Sequence, residues 1–158
     1  MTNKEISRKF SLTAKLMELH GENKFKARSY SNASFNLSRL DKPLEAMDRS
    51  EISSLKGVGD AISQKIEDLL DHGSFKLLDE LTAKTPEGIM ELLQIKGLGA
   101  GKLRTIWKDL GVETPGELLY ACRENRLAQM KGFGEKTQQN LINSLEYYLS
   151  NKKMYHYA

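Results

Sequence analysis

The sequence predicts an all-α protein of two small helical modules. Three observations carry that prediction. Apolar residues recur at helical spacing along the whole chain, and alternating stretches rich in Val, Ile and Thr are missing. The three prolines, Pro43, Pro86 and Pro115, all stand at breaks between such segments. One glycine-containing pattern occurs three times, each time between two helical segments.

The elements follow in order. From Ile6 the apolar residues run Phe10, Leu12, Leu16 and Met17, until Gly21 stops them. A second helix is expected over 24–40, with Phe25, Tyr30, Ala33, Phe35 and Leu37, and Asp41-Lys42-Pro43 breaks the chain after it. Thr85-Pro86-Glu87 and Thr114-Pro115-Gly116 each offer Thr as an N-cap and Pro at the first helical position. A linker around 83–85 divides a module at 1–82 from one at 83–158. Leu12, Leu16, Phe25, Ile62, Ile66 and Leu70 are the expected core of the first. Trp107 is expected in the core of the second, with Leu103, Ile106 and Leu110.

The repeat reads Leu55-Lys56-Gly57-Val58-Gly59, Ile95-Lys96-Gly97-Leu98-Gly99 and Met130-Lys131-Gly132-Phe133-Gly134. After it come Ile62, Ile66, Leu69 and Leu70, then Leu103, Ile106, Trp107 and Leu110, then Leu141, Leu145, Tyr148 and Leu149. Each set fits one face of a helix. These are three helix-hairpin-helix motifs. Glycine permits the turn and a close approach of another backbone. The apolar residue between the glycines plugs the angle between the helices. The second helix then opens with unpaired backbone N–H groups and the positive end of its dipole, a site for a phosphate oxygen. Such a site holds backbone and does not read bases.

The candidate DNA contacts are therefore Lys56, Gly57, Val58 and Gly59; Lys96, Gly97, Leu98, Gly99, Gly101 and Lys102; and Lys131, Gly132, Gly134 and Lys136. The third turn is the weakest candidate, because Phe133 is bulky and Glu135 follows the turn. The alternative is a structural or protein-interaction scaffold whose hairpins pack only on each other.

Composition bounds the rest. The 158 residues carry 24 Lys and Arg against 21 acids, a net charge of +3. That balance permits nucleic-acid binding without arguing for it, so charge placement must decide. The single thiol, Cys122, can form neither an internal disulfide nor a cysteine-based metal site. The charged start Met1-Thr2-Asn3-Lys4-Glu5 is not that of a signal peptide. No run reaches the length of a membrane span. A cytoplasmic protein, at the nucleoid, is expected, with no membrane partner.

Residues 55–67 followed by Gly73-Ser74-Phe75 resemble the helix-hairpin-helix of the small N-terminal domain of family X DNA polymerases. The stretch from Asn23 to Ala33 resembles that domain's preceding helix. The second and third hairpins are similar to the next subdomain, in the bacterial and archaeal layout. The resemblance implies DNA held at gaps or nicks during repair, and a polymerase palm domain C-terminal in the natural protein. No Asp-x-Asp pair stands on a strand, and the histidines are scattered at His20, His72 and His156. The chain is thus not expected to polymerise DNA by itself, nor to hydrolyse it by metal catalysis. A helix-hairpin-helix glycosylase is disfavoured, since its Gly/Pro-rich segment and catalytic Asp are not found.

The resemblance also implies Schiff-base lyase chemistry on a 5′-deoxyribose phosphate, with Lys65 as nucleophile and Tyr30 and Lys26 at matching pocket positions. Lys65 stands three residues after Ile62 and four before Leu69, so it borders the apolar face. Partial desolvation beside other lysines favours the neutral, nucleophilic amine. Two basic positions of the family's lyases are Ala61 and Leu77 here, with Lys76 adjoining the latter. No cofactor is required. A monovalent cation, Na+ or K+, is an expectation at the hairpin carbonyls of Leu55, Val58, Ile95 and Leu98. Lys152-Lys153 is expected to be a solvated tail.

Overall fold

A computed structural model describes the backbone of residues 1–156 and the side chains of residues 1–152. The second lysine of the expected tail, Lys153, has its side chain outside them, as do Tyr157 and Ala158 entirely. Among the described residues the chain is helical, with no strand. It divides into two compact units, Met1–Lys84 and Thr85–Ala158.

The first unit holds α1 (Asn3–Leu19), α2 (Lys24–Ser38), a 3-10 turn (Leu44–Ala46), α3 (Arg49–Ser53), α4 (Asp60–His72) and α5 (Lys76–Ala83). Thr2 and Glu5 close a capping box that starts α1. The short link to α2 contains Gly21 at φ 69°, and it folds the two helices into an αα-hairpin. Small side chains let them approach closely. Ser7 Oγ donates to the Ser34 carbonyl at 2.7 Å, and Ser34 Oγ donates to the Ser7 carbonyl at 2.8 Å. The rings of Phe10, Tyr30 and Phe75 form a three-way stack, with centroids 5.7–6.4 Å apart. That stack joins α1, α2 and the residue that caps α5.

Leu16, Ile62 and Ile66 lie in this core as expected. Leu12 and Leu70 are only half-buried. Phe25 is not core at all: it is 82% exposed, and Phe35 is 60% exposed. The face of α2 that packs inward is Tyr30, Ala33 and Leu37, spaced by three and four residues. Phe25 and Phe35 sit five residues before and after Tyr30, about 140° around the helix from it. Hydrophobicity marked them, and helical phase turned them outward.

The second unit holds α6 (Glu87–Leu92), α7 (Ala100–Leu110), α8 (Pro115–Arg123) and α9 (Glu135–His156). Thr114 caps α8 by accepting from Glu117 N–H, with Pro115 at the first position, as expected. The matching reading at 85–87 is one residue off. Pro86 holds an extended ψ of 147°, so it is itself the cap and Glu87 the first helical residue. Trp107 is half-buried, and its Nε1 donates to Glu113 Oε2 at 3.3 Å. Lys152 is not a simple solvated tail residue. It lies on α9 and pairs with Glu91. Cys122 is fully buried, and burial pushes its thiol up to about 11. Gln138 ties α9 to the loop before it, accepting from Ala128 N–H at 3.0 Å and donating to Asn125 Oδ1 at 2.9 Å.

Ile66 is fully buried on α4, and truncating it leaves a cavity that a helix pair cannot close. Ile66→Ala is expected to cost the first unit about 2–5 kcal/mol, read as a lowered urea midpoint. A loss below about 1 kcal/mol would show that the site collapses around the missing atoms.

Candidate nucleic-acid interface

The three hairpins share one backbone geometry. The N–H of the plug residue returns to the carbonyl three residues earlier: Val58 to Leu55 at 3.1 Å, Leu98 to Ile95 at 3.2 Å, Phe133 to Met130 at 3.1 Å. The third residue of each turn takes a positive φ, 78° at Gly57, 86° at Gly97 and 86° at Gly132. That is why the first glycine of each repeat is glycine. The preceding residues Lys56, Lys96 and Lys131 project exposed at the turn tips. Val58 and Leu98 are buried as plugs, whereas Phe133 is only half-buried.

The second glycine of each repeat has a different explanation. Gly59 at φ −97° caps α4, and Gly99 at φ −77° caps α7. Both angles suit any residue. A Cβ built on Gly59, Gly99 or Gly134 meets nothing within 4 Å. Neither backbone conformation nor packing demands glycine at these three positions. Phe75 and Pro86 cap α5 and α6 without a side-chain hydrogen bond, whereas Thr2, Asn23, Asp48 and Thr114 each accept from backbone N–H groups of the first turn. α4 and α7 have no such cap. Their leading N–H donors stay unmasked on an exposed surface, and a capping side chain would cover them.

The anion sites differ in quality. Acidic residues sit in the first turns of α4 and α9, Asp60 and Glu135, opposing a bound phosphate. The objection to the third hairpin therefore applies to the first as well. The first turn of α7 has no acid. It carries the exposed residues Gly101 and Lys102 instead, which makes the second hairpin the strongest anion site. Lys102 Nζ lies 6.0 Å from the Phe133 ring centroid, so hairpins two and three meet. Lys136, in the first turn of α9, is exposed.

In the first unit, Lys65 is half-buried on α4, six residues after Gly59. Its Nζ stands 5.8 Å from the Tyr30 ring centroid. Burial in the aromatic stack raises the Tyr30 hydroxyl above the ordinary tyrosine range. Lys65 and Tyr30 thus come together from helices far apart in sequence. Lys26, one turn before Tyr30 on α2, is exposed. Ala61 is exposed, and Lys76 pairs with Glu80 at 4.0 Å. Two further residues shape the site. Phe75 backs Tyr30, and Asn36 lies against the first turn, where a Cβ on Gly57 would collide with its Nδ2. No local sequence signal marks either role, because both depend on contacts across the unit. Among the described residues, no three His, Cys, Asp or Glu side chains converge to hold a metal ion. None of the described helices is long and apolar enough to cross a membrane.

Two families match this chain. Residues 1–75 match a helix-hairpin-helix domain, and residues 89–146 match a SAM-like helix-hairpin-helix tandem. The chain is a helix-hairpin-helix protein. It is similar to the DNA polymerase/3'-5' exonuclease PolX of Bacillus subtilis (strain 168), at 33% identity over 145 residues, 92% of this chain. It spans 25% of that relative's length. The expected resemblance to the helix-hairpin-helix region of family X polymerases is borne out to that extent. Together the two matched helix-hairpin-helix segments contain all three glycine repeats.

Proposed function

We propose that the hairpins bind DNA through its sugar-phosphate backbone, without reading sequence, at gaps or nicks met in DNA repair. The observation that carries this reading is the trio of glycines at 59, 99 and 134. The fold does not require them, and at Gly59 and Gly99 no side chain caps the helix, which leaves its N-terminal N–H groups open to an anion. Exposed lysines at the turn tips add charge at the same places. The similarity to a DNA polymerase supports nucleic-acid phosphate as that anion. In this reading the partner domain is a polymerase palm, and the compartment is the cytoplasm at the nucleoid. The test is the salt dependence of binding to a gapped duplex. With ~3–6 phosphates engaged, log affinity falls against log salt with a slope of about −3 to −5. A flat response would overturn the phosphate reading and favour the scaffold.

The Lys65–Tyr30 pair favours a second activity on the same DNA, 5′-deoxyribose phosphate lyase chemistry. The Lys65 amine attacks C1′ of the ring-opened sugar, and loss of water gives a Schiff base. A proton then leaves C2′ to solvent, the C3′–O bond breaks with the DNA 5′-phosphate as leaving group, and water hydrolyses the remaining imine, freeing the sugar phosphate and the Lys65 amine. Lys65 lies roughly 9 Å along α4 from its capping glycine, so a phosphate held at Gly59 brings a neighbouring sugar to the amine. Tyr30, fixed by Phe10 and Phe75, supports the lysine from beneath. Lys26, exposed one turn before Tyr30, would supply positive charge for a phosphate of the substrate.

We propose in addition a monovalent cation at the hairpin carbonyls. Leu55 and Ile95 each accept one turn hydrogen bond, and a carbonyl oxygen has a second lone pair. Na+ or K+ held there, with Val58 and Leu98 completing the oxygen set, would supply positive charge beside the phosphate.

A further inference from the structure

A groove of about 850 Å³ runs between the second hairpin and α9, wholly within the second unit. The hairpin wall includes Gln94, Ile95 and Lys96; the α9 wall includes Asn143, Tyr147, Tyr148 and Asn151. These α9 residues fall at spacings of four, one and three, on one helical face. Tyr148 is anchored: its hydroxyl donates to Glu91 Oε1 at 2.9 Å. Tyr147 is 72% exposed, so its ring is presented to solvent and contributes little to the core.

The chemistry of this lining is specific. An exposed aromatic face stacks on a flat ring. The carboxamides of Gln94, Asn143 and Asn151 each carry donors and an acceptor, the complement of a base edge. Lys96 and Lys152 are its charged side chains among the described residues; Lys152 is paired with Glu91, so the charge offered to an anionic chain is that of Lys96. The volume lies in the range of pockets that enclose small organic groups, ~300–1,000 Å³. Lys96 belongs both to the groove and to the turn leading into Gly99. A strand with a phosphate at the start of α7 therefore passes the mouth of the groove. Inside a duplex each base is stacked between its neighbours and paired along its edge, whereas an unpaired base offers both face and edge to the groove.

We propose that this groove binds an unpaired stretch of the strand whose phosphates rest on the second hairpin, with Tyr147 as stacking platform. The assignment rests on the phosphate-binding reading of that hairpin. Fluorescence anisotropy on a blunt duplex, and on the same duplex with a single-stranded extension, tests it with Tyr147→Ala, Tyr147→Phe and Gly99→Asp. Tyr147→Ala is expected to lower affinity for the extended DNA roughly 5- to 100-fold, the size of a lost base–aromatic stack. Blunt-duplex affinity stays unchanged, and Tyr147→Phe restores the loss. 2-Aminopurine in the extension is quenched by the wild type and not by Tyr147→Ala. If Tyr147→Ala changes neither affinity while Gly99→Asp weakens both, the groove assignment is overturned and the hairpin reading stands. The groove then serves another partner, such as a protein surface. An equal loss on both DNAs overturns the assignment too. If Gly99→Asp also changes nothing, the hairpin reading falls with it.

Discussion

Gly99→Asp is expected to lower affinity for gapped DNA roughly ten- to a hundredfold while leaving the fold as stable as before, or slightly more so. The two effects have opposite signs for one reason. Gly99 has φ −77° and open space where a Cβ would stand, so aspartate enters without strain. An aspartate there accepts from the first-turn N–H groups of α7, and a good N-cap exceeds glycine by a few tenths of a kcal/mol. The same bond masks the donors that would hold a phosphate, and it places a negative charge on the site. Hydrogen bonds to charged groups contribute about 1.5–3 kcal/mol each, which sets the affinity loss. Gly99→Ser, a cap without charge, should fall between. Thermal melting and anisotropy on the same samples check both halves. Reduced affinity with a reduced melting temperature would mean that the turn was merely damaged. Gly57→Val and Gly97→Val are poorer probes, because at φ 78° and 86° a valine strains the turn whether or not DNA touches it.

Lys65→Ala is expected to abolish a borohydride-trapped adduct on a one-nucleotide gap bearing a 5′-deoxyribose phosphate, with DNA affinity changed less than about threefold. Reduction fixes only an imine, so the readout isolates the nucleophile from binding. The amine sits 5.8 Å above the Tyr30 ring, an arrangement worth about 0.5–2 kcal/mol, so the substitution costs little stability. Tyr30→Phe keeps the ring and should keep the adduct. Lys26→Ala should weaken binding of the phosphate without removing the imine. Wild-type protein that gives no adduct on fully bound DNA would leave a backbone-binding module without lyase chemistry. An adduct persisting in Lys65→Ala would move the nucleophile to another lysine.

The parts legible from sequence are those that neighbouring residues decide. Positive-φ turns at Gly57, Gly97 and Gly132, plugs at Val58 and Leu98, and the Thr114-Pro115 start depend on residues within about one helical turn. The apolar spacing of Ile62, Ile66 and Leu69 already named the buried side of α4. In α2 the same reasoning failed. Five apolar residues could be read without knowing which arc faced α1, and Phe25 and Phe35 proved to lie outside it. One of the two reasons for ranking the third hairpin weakest applies to the first as well, since Asp60 stands there as Glu135 does at the third.

By itself the sequence determined the helical class, the three hairpins and the lysines at their tips, because turn and cap chemistry is local. Only the tertiary structure decided three other matters. It stacked Phe10, Tyr30 and Phe75 from three separated segments, and it set Lys65 over that stack. It left the Cβ positions of Gly59, Gly99 and Gly134 open. It ranged Tyr147 and Asn143 along the groove opposite Lys96. Each of these depends on which surfaces meet across the fold. That is settled by competition among all apolar faces for burial, and no window of neighbouring residues contains it.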